Sequence, residues 1–178
     1  MCLYNLYDFK IPHNKKYWYK VFRLIKKSGD LVDSTTEPQV AISSCLWGNS
    51  MGYPVNRWVD EFDYREETTR NHLSTFFNNI YYPCGFHCFY DKKDAFKWMQ
   101  NDLSTFILFK VETKELTARG HEQFIGYEQN EVGYTRVRGG VFKQIKLIKP
   151  VPISQYPIYM QGDYRKYFIK LIKKQYRC

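Results

Sequence analysis

The run TFILFKVE at 105–112 constrains the fold more than any other stretch, because β-branched and aromatic residues follow one another with no Gly or Pro, as in a central strand. YWYKVFRLI at 17–25 is of the same kind. Its Lys20 and Arg23 fall on opposite faces by the period of two, so one face is expected to line a cleft or an edge. CGFHCFY at 84–90 reads as a third strand, with Phe86 and Cys88 on one face and His87 and Phe89 on the other. Asp91 is then placed to cap a helix, KKDAFKWMQ, with Asp94 in the capping-box position and Ala95, Trp98 and Met99 as its buried stripe.

QFIGYEQNEVGYTRVR (123–138) and VFKQIKLI (141–148) flank Gly139-Gly140, which predicts a two-residue hairpin turn because both positions tolerate positive φ. Residues 28–58 are dense in Gly, Pro, Ser and Asn and are expected to form loops with at most short elements, with Trp47, Tyr53 and Trp58 covering the core or lining a pocket. Residues 65–79, with Leu73, Phe76 and Phe77 at helical spacing, predict a short helix. Proline restricts 149–157 to an extended form, and a C-terminal helix begins near Asp163. The sum is an α+β fold with a mostly antiparallel sheet and a few helices. No Pro/Gly/Ser-rich linker divides it, so 1–178 is expected to be one domain.

Hydrophobic residues at 44% and aromatic residues at 19% exclude a disordered chain. No apolar run approaches the ~20 residues that cross a bilayer, and the first residues lack the plan of a secretory signal, so a cytosolic protein is expected. Five cysteines, at 2, 45, 84, 88 and 178, are scattered and odd in number, which predicts free thiols. CGFHC offers three candidate zinc ligands, but His87 and Cys88 face apart in a strand and no second ligand pair follows, so no metal site is expected. The same geometry opposes a Cys–His dyad unless His72 or His121 approaches from elsewhere. Removal of Met1 would make Cys2 an N-terminal nucleophile, but the glycine-rich surroundings usual for such enzymes are absent.

Net charge is +9 and uneven. Residues 163–178 carry Arg165, Lys166, Lys170, Lys173, Lys174 and Arg177 against Asp163 alone, and 10–27 carries seven basic residues, Lys15 and Lys16 among them, with no acid. On a helix the C-terminal lysines share one broad face and Phe168, Leu171 and Ile172 another. That arrangement could meet phosphates or an anionic membrane surface, and because Tyr164, Tyr167 and Tyr176 are interleaved with the charges it suits single-stranded RNA or an RNA–protein complex slightly better than lipid. Lys166, Lys170, Lys173, Lys174, Arg177, Lys15 and Lys16 are the expected nucleic-acid contacts.

Two resemblances add to this. The order of segments, from the strand with Arg23 through the Gly-Phe-His strand and its capped helix to Gln129-Asn130-Glu131 and the strand with Gly140 and Phe142, resembles ADP-ribosyltransferase-like domains. The resemblance implies an NAD cofactor, with Arg23, His87 and Glu131 as the catalytic set, although GFHCFY lacks the hydroxyls of the family's Ser-Thr-Ser strand. Met1-Cys2-Leu3, Tyr19-Lys20-Val21 and Gly85-Phe86-His87 are similar to segments of small phage and prophage accessory proteins. That likeness implies a bacterial host cytoplasm and a non-enzymatic binder without cofactor, such as an inhibitor of a defence system of the anti-CRISPR type. The ADP-ribosyltransferase is the alternative expectation.

Overall fold

The computed structural model describes residues 3, 5–6, 9–26, 40–44, 53–60, 74–76, 80–82, 85–99, 106–128 and 131–176. At 5, 23–26, 40–44, 74–76, 80–82, 123–128, 131–134, 164 and 175–176 it describes the backbone alone.

Among the described residues nine strands form: β1 (Asn5–Leu6), β2 (Tyr17–Lys26), β3 (Val40–Ser44), β4 (Trp58–Asp60), β5 (Ser74–Phe76), β6 (Ile80–Tyr82), β7 (Phe86–Phe89), β8 (Phe106–Glu128) and β9 (Glu131–Pro150). Two α-helices, α1 (Lys92–Met99) and α2 (Asp163–Tyr176), complete an α+β fold. Two 3-10 turns, Ile153–Gln155 and Ile158–Met160, follow Pro152 and Pro157; the first interrupts the extended form expected over 149–157, and the second lies just beyond it. The main sheet runs β1-β8-β2-β7-β9-β4, with β3 beside β2, and β5 pairs with β6 separately. Every pairing between these strands is antiparallel.

The path closes on itself, because β8 pairs with both β2 and β9 while β7 bridges those two from the other side. Closure covers one face of the apolar run at 106–109 and of Val21 and Phe22 on β2, and the two α-helices packed on β2 and β8 cover the other, so successive residues are buried whichever way they point. Phe22 packs edge to face on Phe109 at 5.5 Å and on Tyr53 at 5.3 Å. Tyr53 therefore belongs to the core, one of the two roles its loop position allowed.

Gly139 and Gly140 do not turn. Gly139 pairs with Gly120 and Phe89, and Gly140 with Arg119 and Cys88, inside β9, while the hairpin reverses between Glu128 and Glu131, which pair with each other. A Cβ on Gly140 would meet Leu116 and Phe142 at 3.0 Å and Trp18 at 3.1 Å, so the glycine admits a close crossing of rings rather than a positive φ. The helix expected over 65–79 is also corrected. Its described part, Ser74–Phe76, is a strand paired with Ile80–Tyr82, where β-branched and aromatic residues outweigh the helical spacing of Leu73, Phe76 and Phe77 in the sequence. The remainder of that segment lies outside the described residues.

Asp91 caps α1 as expected, its Oδ1 accepting from the Asp94 N–H at 2.9 Å. Asp94 turns instead to Arg138 on β9, whose Nε donates to Asp94 Oδ2 at 3.1 Å while Nη2 donates to Asp91 Oδ2 at 2.7 Å. One guanidinium thereby ties the first turn of α1 to the sheet. At the other end of the chain α2 packs on β8 and β9 through Phe168, Ile169 and Ile172.

Candidate nucleic-acid interface

Burial of Phe168, Ile169 and Ile172 fixes the rotation of α2, and Lys166, Lys170, Lys173 and Lys174 consequently all face solvent. Lys166 contacts Asp163 at 3.0 Å, but that carboxylate is 97% exposed and a surface pair of this kind leaves the lysine open to other anions. Tyr167, 46% exposed, adds a ring beside them. Arg177 lies outside the described residues.

A second basic surface lies on the outer face of the sheet. Tyr17, Glu112, Lys146 and Trp58 stand opposite one another on β2, β8, β9 and β4, and directly opposed residues share a face. The alternate row behind it is buried, with Val111, Leu147, Ile145 and Val59 in the core, so the outer row is the solvent side of a half-covered sheet. Lys16 and Lys146 reach Glu112 at 3.6 and 3.8 Å. Interaction with Tyr17, and after it Glu112, holds the Lys16 ammonium above its ordinary value. Lys110 lies 3.5 Å from the Tyr17 ring centre and Lys114 4.0 Å from that of Trp58. Of these residues the sequence singles out Lys16 as a nucleic-acid contact and Trp58 as a cover of the core or of a pocket, whereas Trp58 is exposed on the short strand β4. The signal was present in the alternation of FKVETK, where Lys110, Glu112 and Lys114 recur at every second position.

Lys15 behaves differently from Lys16. Its Nζ sits 3.9 Å over the Tyr90 ring and 5.3 Å from that of Trp18, and burial lowers its pKa. Arg138 approaches the same Tyr90 ring at 4.4 Å, so Lys15 belongs to a packed cationic and aromatic cluster rather than to a free surface.

The expected transferase set is spread by the register. Arg23 pairs with Phe106 at the start of β8, His87 with Val141, and Glu131 with Glu128 at the hairpin end. Arg23 and His87 are on neighbouring strands, but residues 131–141 separate Glu131 from the partner of His87, a length of roughly 30 Å in a straight strand. Strand pairing does not bring the three together, and the side chains of Arg23 and Glu131 lie outside the described residues. The His87 carbonyl accepts from the buried Lys20 ammonium at 3.0 Å.

Cys88 is fully buried, and burial pushes its thiol up to about 12, so it is a protonated packing residue near neutral pH. Among the described residues no group of three or more His, Cys, Asp and Glu could hold a metal ion, and no helix is long and apolar enough to cross a membrane. Compared with family models, curated proteins and solved structures, the chain matches none.

Proposed function

We propose that the protein is a non-enzymatic binder of RNA, free or within an RNA–protein complex, that engages phosphates through α2. The observation that carries this is the exposure of Lys166, Lys170, Lys173 and Lys174 on one side of a helix whose other side is anchored in the core. A rigid, convex row of ammonium groups releases counterions when it meets a polyanion, and a net charge of +9 steers that encounter. The segments similar to phage and prophage accessory proteins support a role in a mobile element, as an inhibitor of a nucleoprotein defence complex of the anti-CRISPR type acting inside the bacterial host.

Replacing the four lysines by Gln tests the reading, since the buried face of α2 is untouched. Affinity for RNA is expected to fall, and the slope of log K against log salt to flatten by about 0.7 for each phosphate of a single strand that is no longer neutralised. Full-strength binding with an unchanged slope would overturn it.

A further inference from the structure

The outer face of the sheet holds two aromatic rings in one row, each with a lysine over it, and closure of the core does not require them there. Trp58 is 39% exposed, whereas the row behind it is buried without its help. Tyr17 and Trp58 stand at the two ends of a row of four strands, about 14 Å apart at the usual ~4.8 Å strand spacing. They are too far apart to clasp one base, and far enough to take different bases of one strand. Lys16, Lys110, Lys114, Lys146 and Lys149 surround them, against Glu112 and Asp60. The charge balance of this face therefore suits a polyanion, and its rings suit unpaired bases.

We infer that this face is a base-stacking platform for single-stranded RNA, with Tyr17 and Trp58 as the stacking rings. The inference rests on the reading of the protein as an RNA binder and adds where and in which form RNA is read. Base–aromatic stacking outweighs an exposed cation–π contact. An arriving base accordingly displaces Lys110 from Tyr17, or Lys114 from Trp58, and the freed ammonium meets the adjoining phosphate. Glu112 and Asp60 repel phosphate but accept a hydrogen bond from a hydroxyl, and only ribose offers one at the 2′ position. Gln144, which donates to Asp60 at 3.0 Å, holds that carboxylate in the row. A duplex presents its bases stacked on each other, leaving the rings nothing to take.

Titration of the intact protein with a short unstructured oligoribonucleotide, its deoxy counterpart and an RNA duplex of equal length tests this. Wild type is expected to bind the single-stranded RNA tightest, with quenching of Trp fluorescence. Tyr17→Ala and Trp58→Ala are each expected to weaken it about tenfold at an unchanged salt slope, since no charge is removed. The quenching should disappear in Trp58→Ala, while Trp58→Phe, which keeps a ring, should hold most of the affinity. Full affinity in both Ala variants while wild type binds would overturn the platform and leave the α2 reading standing. Equal affinity for the duplex or the deoxy strand would overturn the assignment to single-stranded RNA. Absence of RNA binding by wild type at low salt would overturn both readings.

Discussion

Arg165 is one of six basic residues in 163–178, yet it is only 3% exposed. Its Nε donates to the Phe106 carbonyl at 3.1 Å and its Nη1 to that of Met160, joining α2 to the first residue of β8 and to the second 3-10 turn. Tyr156 lies beneath it, 5.2 Å from ring centre to guanidinium, and accepts from the Leu108 N–H at 2.8 Å. Burial pushes that phenol up to about 12, so it stays neutral. Arg165→Met removes two charge-assisted bonds and is expected to destabilise the protein by about 3 kcal/mol in urea unfolding. Lys166→Met should shift stability by no more than about 0.5 kcal/mol. Equal effects would show that Arg165 is only another surface charge. Charge alone could not separate these neighbours in the sequence, because a basic residue reads as solvated whatever its position. The distinguishing signal is helical phase: Arg165, Phe168, Ile169 and Ile172 follow i, i+3, i+4, i+7, which puts Arg165 on the buried stripe.

Helix α1 has eight residues, too few to persist without its anchors, so the Asp91 cap and the Arg138 clamp decide whether it forms on the sheet. Burial raises the Asp94 pKa above its ordinary 3.8, outweighing the lowering by Arg138. The folded protein therefore holds that proton more tightly than the unfolded chain. Its contribution to stability is present in full below 3.8 and is lost as pH rises through the raised folded value. Asp94→Asn removes this titration, so the melting temperature of the variant should gain on that of the wild type as pH rises across that window. A gap constant with pH would contradict the sign. The cap and the strand before α1 were legible because Asp91 and the alternation of 86–89 are local signals. Gly139-Gly140 misled because a glycine pair supplies turns and close approaches alike, and the decision rests on Trp18 and Leu116, which reach Gly140 from other strands. For the same reason the outer sheet row was not legible: it is assembled from four strands whose registers no local pattern encodes.

On the scale of the whole molecule, several carboxylates are engaged where they cannot oppose an anion. Asp91 and Asp94 are clamped by Arg138, and Glu122, buried, accepts from the Trp98 indole at 3.3 Å. Lysines, by contrast, point outward from α2 and from the β2-β8-β9-β4 face, so positive charge is concentrated on these two surfaces. Lys93 and Lys97 on α1 are also exposed and lie on neither proposed surface, which makes them internal references. The most direct measurement is lysine acetylation of the intact protein with and without saturating single-stranded RNA, read residue by residue by mass spectrometry. Binding through α2 requires that Lys166, Lys170, Lys173 and Lys174 lose reactivity while Lys93 and Lys97 keep theirs. Unchanged reactivity at all four α2 lysines, in protein that has bound the RNA, would contradict it.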